Sequence, residues 1–211
     1  MQTVSLLILI TAACAQPQTP PPPTSSADTS PSAASVPAPG SVIGKVPGFT
    51  VGSLAIVLLE PKTPREFPPP EETPVMDQAG QTFGPPVLFV RTGRPVEFRN
   101  SDDTLHNVHV TNEDTREGAF NVAIPTGNSY TFTFKTDGLY HVGCDIHPAM
   151  AAEIVSTTTP FATTATDDGS YEFVDVPAGA YRLTIYSGGK KTESDVDVRA
   201  PQLSRGTPSP E

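Results

Sequence analysis

The chain has 211 residues, with 25 prolines, 16 glycines, no tryptophan and a formal net charge of -10. That length allows one large domain or two small ones. The acidic balance repels phosphate backbones and anionic headgroups, which argues against nucleic acid or a bare anionic membrane as a partner.

The first recognisable segment is the apolar run in "VSLLILITAACAQ". It is about 10 residues long, half of the roughly 20 that a bilayer span takes. It reads as the core of a secretory signal covering residues 1–14. Two cleavage readings stand. "TAAC" is similar to a bacterial lipobox, with Cys14 as the lipidated first residue, although Thr11 departs from that pattern. "ACA" before Gln16 is an ordinary small-x-small site. Both readings place the folded part outside the cytoplasm, periplasmic or held to a bacterial membrane by a lipid anchor. Both leave Cys144 as the only cysteine of that folded part, since the chain has two in all.

Residues 15–40 are proline- and serine-rich with no apolar period, so they bury too little to offset the entropy of ordering and read as a tether. Residues 201–211 are similar in kind. Between these ends the chain reads as strands. "SVIGKV", "LAIVLLEP", "PVLFVRTGRPVEFRN", "LHNVHVTN", "SYTFTFKTDGLYHVGC" and "AAEIVST" alternate apolar and polar residues or form short β-branched runs. "GSYEFVDVPAGAYRLTIYSGG" and "ESDVDVRA" continue the pattern. No segment carries a sustained helical period with capping signals. The expected class is all-β, built as sandwiches. Residues 60–86, rich in proline, read as a long loop joining two modules.

One loop concentrates the chemistry. "YHVGCDIHPAM" places Cys144, His147 and Met150 in a C-x-x-H-x-x-M pattern. A thiolate, an imidazole and a thioether together suit copper, whereas thioether is a poor zinc ligand. A blue-copper site needs one more histidine, and His106, His109 and His141 are the candidates. Strand periodicity puts His106, Val108 and Val110 on one face and Asn107 and His109 on the other, so at most one of His106 and His109 points into a given site. His141 lies three positions before Cys144 on its strand and points to the opposite face. The plainer readings are a buried structural cysteine at Cys144 and a core methionine at Met150. Met76, with no second ligand nearby, reads as packing.

"LHNVHV" followed by "GLYHVGCDIHPAM" resembles the cupredoxin family, especially its amicyanin and plastocyanin branch. The resemblance covers roughly residues 75–156. It implies a Greek-key β-sandwich with one type 1 copper ion. It also implies that His106, Cys144 and His147 form the trigonal ligand set, with Met150 as the weak axial ligand. Asn107 is then the residue that ties the two ligand loops together. The proline that usually precedes the first ligand is replaced here by Leu105. By the same resemblance, His147 reaches solvent inside an apolar collar and passes electrons to a protein redox partner.

"TDDGSYEFVDVPAGAYRLTIYSGG" resembles the carboxypeptidase regulatory-like, transthyretin-like β-sandwich. "GSVIGKV" and "LAIVLLEP" look like that family's opening strands. This implies a small sandwich made from residues 41–62 and 160–200, with the cupredoxin over 63–159 inserted between them. The alternative is a cupredoxin with an appended sandwich and an unrelated N-terminal hairpin. The expected function is an exported, monomeric one-electron carrier with no catalytic residues. Copper delivery or sequestration is the competing reading, since the same ligands could serve either.

Overall fold

A computed structural model describes residues 38–199, and strands and loops account for all of them, with no helix. The expected signal peptide with Cys14, nearly all of the tether, and the tail from 201 lie outside the described residues. The strands are β1 (Gly40–Lys45), β2 (Ala55–Pro61), β3 (Val75–Ala79), β4 (Thr82–Gly84) and β5 (Val87–Arg91). They continue as β6 (Pro95–Asn100), β7 (His106–Asn112), β8 (Gly118–Ile124), β9 (Ser129–Thr133) and β10 (Gly138–Gly143). The last five are β11 (Ala151–Thr157), β12 (Ala162–Thr164), β13 (Ser170–Val176), β14 (Gly179–Ser187) and β15 (Lys190–Val198).

The middle of the chain forms two facing sheets, β5-β11-β10-β7-β8 and β4-β3-β6-β9. Alternate residues of each point inward, as the period of two requires. Met76, Phe83, Val96 and Phe98 from one sheet meet Val108, Val110, Tyr140, Val142 and Ile154 from the other. Cys144 and Met150 complete this core at one end. The fold is the all-β, two-sheet sandwich that the sequence leads one to expect.

The first and last parts of the described residues pair with each other. β1 runs antiparallel to β13, and a second sheet has the order β12-β2-β14-β15. Val42, Val57, Leu59, Tyr171, Phe173, Val176 and Tyr181 lie between these sheets as a separate core. β2 has the run "AIVLL" because both of its faces are covered, which is also why it shows no alternation. Ala55, Val57 and Leu59 enter that second core, while Ile56 and Leu58 turn the other way and pack on Val155 of β11. Burying each of these three side chains contributes about 1.5–3 kcal/mol, which fixes the two sandwiches against each other.

Three differences from the sequence reading have physical causes. The segment 60–86 is not all loop: β3 and β4 form a hairpin within it, and Met76 is fully buried there. Its strands are short and its polar residues Asp77 and Gln78 mask the pattern. "PVLFVRTGRPVEFRN" is two strands in different sheets, broken where Gly93 adopts a φ of 80°. β8 carries the alternation Phe120, Val122, Ile124, but Asn121 and Ala123 between them are poor strand formers and hide it. Met76 does pack in the core, as expected.

The turn before β13 depends on Gly169. Its φ is +81°, and a Cβ there lies 2.8 Å from the ring of Phe49. Gly169→Ala therefore meets both a left-handed backbone cost of about 1–2 kcal/mol and a ring that must move. The expected result is a fall of roughly 1–3 kcal/mol in unfolding free energy, measured by urea denaturation. An unchanged midpoint contradicts this reading of the turn.

Candidate metal centre

The site is assembled from two loops at one end of the first sandwich. His106 opens β7 and is completely buried. The loop that delivers it is held from beneath by Asn100, also completely buried. The Asn100 amide donates to the carbonyls of Thr104 (2.9 Å) and Ile124 (2.7 Å), and its Oδ1 accepts the Asp102 N–H at 3.0 Å. A side-chain amide that satisfies its own loop in this way fixes the path of residues 101–105.

Asp102 then fixes the ring. Its Oδ2 lies 2.8 Å from His106 Nε2. The same carboxylate accepts the backbone N–H groups of Gly80 (2.6 Å) and Gln81 (2.9 Å) at the β3–β4 turn. These donors, the Gln81 N–H first, hold the Asp102 carboxyl below its ordinary pKa. An ionised carboxylate only accepts, so His106 carries its proton on Nε2 and leaves the Nδ1 lone pair bare.

The second loop follows β10. Cys144 and Met150 are buried, His147 is half-buried, and the Met150 N–H closes a turn on the His147 carbonyl at 2.9 Å. Asn107 joins this loop to β7. Its Oδ1 accepts the Asp145 N–H at 2.7 Å and lies 3.2 Å from Cys144 Sγ. Its amide donates to Asp145 Oδ2 at 2.9 Å and to Asn121 Oδ1 at 2.8 Å. Asp145 also takes His109 Nδ1 at 3.0 Å and the Asn121 amide at 2.8 Å. The hydrogen bond from His109 is the first of the contacts that lower the Asp145 pKa.

The bare Nδ1 of His106 points at His147 Nδ1, 2.9 Å away, and the two lie 3.9 and 4.0 Å from Cys144 Sγ. One point in the plane of these three atoms is about 2.1 Å from each of them. That matches ordinary metal–nitrogen and metal–thiolate bonds of about 2.0–2.3 Å. His106, Cys144 and His147 are the group among the described residues that could hold an ion in this way. Met150 is buried at the same end of the core, beside Cys144. Two imidazoles, one thiolate and a nearby thioether are a donor set suited to copper.

Residues 72–157 match the family model for copper binding proteins of the plastocyanin/azurin family. That stretch is similar to a cupredoxin domain. The chain's cofactor is one copper ion. No curated protein sequence matches the chain. Among solved structures, a reduced tyrosine-for-tryptophan mutant of amicyanin is 26% identical, covering 41% of this chain and 84% of that one, with a TM-score of 0.37. A copper-containing nitrite reductase from Thermus scotoductus SA-01 is 27% identical, covering 46% of this chain and 25% of that one, also at 0.37. A purple cupredoxin from Nitrosopumilus maritimus is 19% identical, covering 39% of this chain and 98% of that one, at 0.35.

The other histidines fall on the outer face of the sheet. His109 and His141 are partly exposed and pair with Asp145 and Glu153 and do not join the buried trio. Sequence reasoning passed over three residues of the site. Asp102, Asn121 and Asp145 organise it without touching the metal position, and a carboxylate four residues before a buried histidine was the available signal.

Proposed function

We propose that this chain is an exported one-electron carrier in which His106, Cys144 and His147 hold copper and Met150 is the weak axial ligand. The observation that carries the reading is the point, in one plane with two histidine nitrogens and one cysteine sulfur, that lies about 2.1 Å from all three. Copper bound to such a set gains and loses one electron with little change of geometry. The protein's part is to hold the donors still. Asp102 fixes the His106 ring, Asn107 fastens the Cys144 loop, and the core packed beneath excludes water.

His147 is the port in this reading. Leu105 and Ile146, 47% and 46% exposed, sit on the same two ligand loops together with Pro148 and Ala149. An apolar patch of that size suits a brief encounter with a protein redox partner, since electron-transfer contacts fall at the small end of interface areas. The reading assigns no catalytic residue. It places the copper module over 63–159, between two parts of a regulatory-like sandwich at 41–62 and 160–200, a reading supported by the pairing of β1 with β13 and of β2 with β14. Export follows from the apolar segment at 1–14, with Cys14 as the lipid attachment point if the lipobox is used. The carrier is monomeric.

The test is repeated redox cycling of the copper-loaded protein against a competing chelator. A reversible one-electron wave, with copper retained through many cycles, is the expected result. Ready loss of copper to the chelator or to an acceptor protein overturns electron transport in favour of copper delivery.

A further inference from the structure

The outer face of the β7–β10 pair carries a second set of histidines that the copper reading leaves unused. His109 opposes Gly143 and Thr111 opposes His141 in the antiparallel register. His109 and His141 are therefore diagonal neighbours on one face, with Cα atoms about 7–8 Å apart. The position between them is Gly143. A Cβ there lies 3.6 Å from His141 Nε2 and meets no other heavy atom within 4 Å, so the imidazole leans over an open spot beside its diagonal neighbour. Both rings line one open depression of about 440 Å³, together with Cys144, Asp145, Pro148 and Met150.

The two rings are also prepared in the same way. His109 Nδ1 meets Asp145 Oδ1 at 3.0 Å, and His141 Nδ1 meets Glu153 Oε1 at 3.2 Å. Each carboxylate draws the ring proton to Nδ1, which leaves Nε2 with its lone pair. Neither Nε2 has a hydrogen-bond partner among the described residues. A carboxylate behind the far nitrogen of a histidine is the usual second layer of a metal site, where it orients the ring and raises its basicity. The two carboxylates supply negative charge to the same patch.

We infer that His109 and His141 form an outer, exchangeable site for a borderline divalent cation, zinc(II) or copper(II), with water completing the coordination. Imidazole suits both ions. Two protein ligands on an open face bind more weakly than the buried trio and release the ion readily. The site shares its wall with Cys144 and Met150, so an ion held there sits just outside the buried centre.

The probe is zinc(II), titrated calorimetrically into the full-length protein already loaded with copper, while the visible band is recorded. The expected result is uptake of one zinc per chain with the band unchanged, and loss of that uptake in His141→Gln and in His109→Gln. Retention of the band in both variants shows that they fold. No uptake by the wild type overturns the inference. So does uptake that survives both substitutions, or uptake that occurs only as the copper band disappears.

Discussion

Replacing Cys144 by serine is expected to abolish the intense visible absorption of the copper-loaded protein and its redox wave together. The band arises from charge transfer between a thiolate and copper, and Cys144 supplies the only sulfur of the buried trio. A serine hydroxyl stays protonated at neutral pH and offers no such transition. The fold is expected to survive. Serine is close to cysteine in size, and its hydroxyl can donate to Asn107 Oδ1, which already lies 3.2 Å from the sulfur. The metal-free variant is therefore expected to melt within about 1 kcal/mol of the metal-free wild type. Spectra of the two proteins after copper addition, with and without reductant, decide the matter. A colourless wild type with a normal melt, or a variant that keeps the band, sinks the thiolate assignment.

The cysteine was legible because its neighbours were. Three metal-binding side chains in one short loop have few other uses, and alternation limited the site to one of two nearby histidines, of which the family resemblance implied His106. Strand periodicity also placed His141 on the outer face, where the structure puts it beside Glu153. What the sequence concealed was of two kinds. Short strands such as β3 and β12 gain their place from β6 and β2, partners farther away in the chain, so their own residues carry weak signals. β2 read clearly as a strand, but nothing local reveals that its second face packs on Val155. The supporting polar residues were hidden for a different reason. Asp102, Asn121 and Asp145 sit in loops or on exposed positions where such residues are common. Only the fold brings the turn at Gly80 and Gln81 up to Asp102, or Asn121 across to Asp145.

That concealed layer leads to the second large effect. Asp102→Asn is expected to weaken copper binding by about 10- to 100-fold, the usual cost of removing an outer partner of a metal-bound histidine. The wild-type carboxylate accepts three N–H groups, from Gly80, Gln81 and His106. An asparagine has one oxygen to offer them and turns its own N–H toward the remaining donors. Whichever way the amide flips, a donor faces a donor. If the amide oxygen takes the Oδ1 place it keeps the Gly80 N–H, the Gln81 N–H and His106 Nε2 both lose their acceptor, and the imidazole proton can move to Nδ1 and block the metal-facing lone pair. If it takes the Oδ2 place it keeps His106 and the Gln81 N–H, and the Gly80 N–H at the β3–β4 turn loses its acceptor, a smaller cost because Gly80 is exposed and water can replace the bond. Competition with a chelator measures the first effect, and denaturation of the metal-free protein measures the second. The His106 Nε2 proton separates positioning from mere stability. It is expected in slow exchange by NMR in the wild type, where His106 is completely buried, and to disappear or shift strongly in the variant. Unchanged copper affinity with an unchanged imidazole proton would reduce Asp102 to an anchor for the hairpin alone.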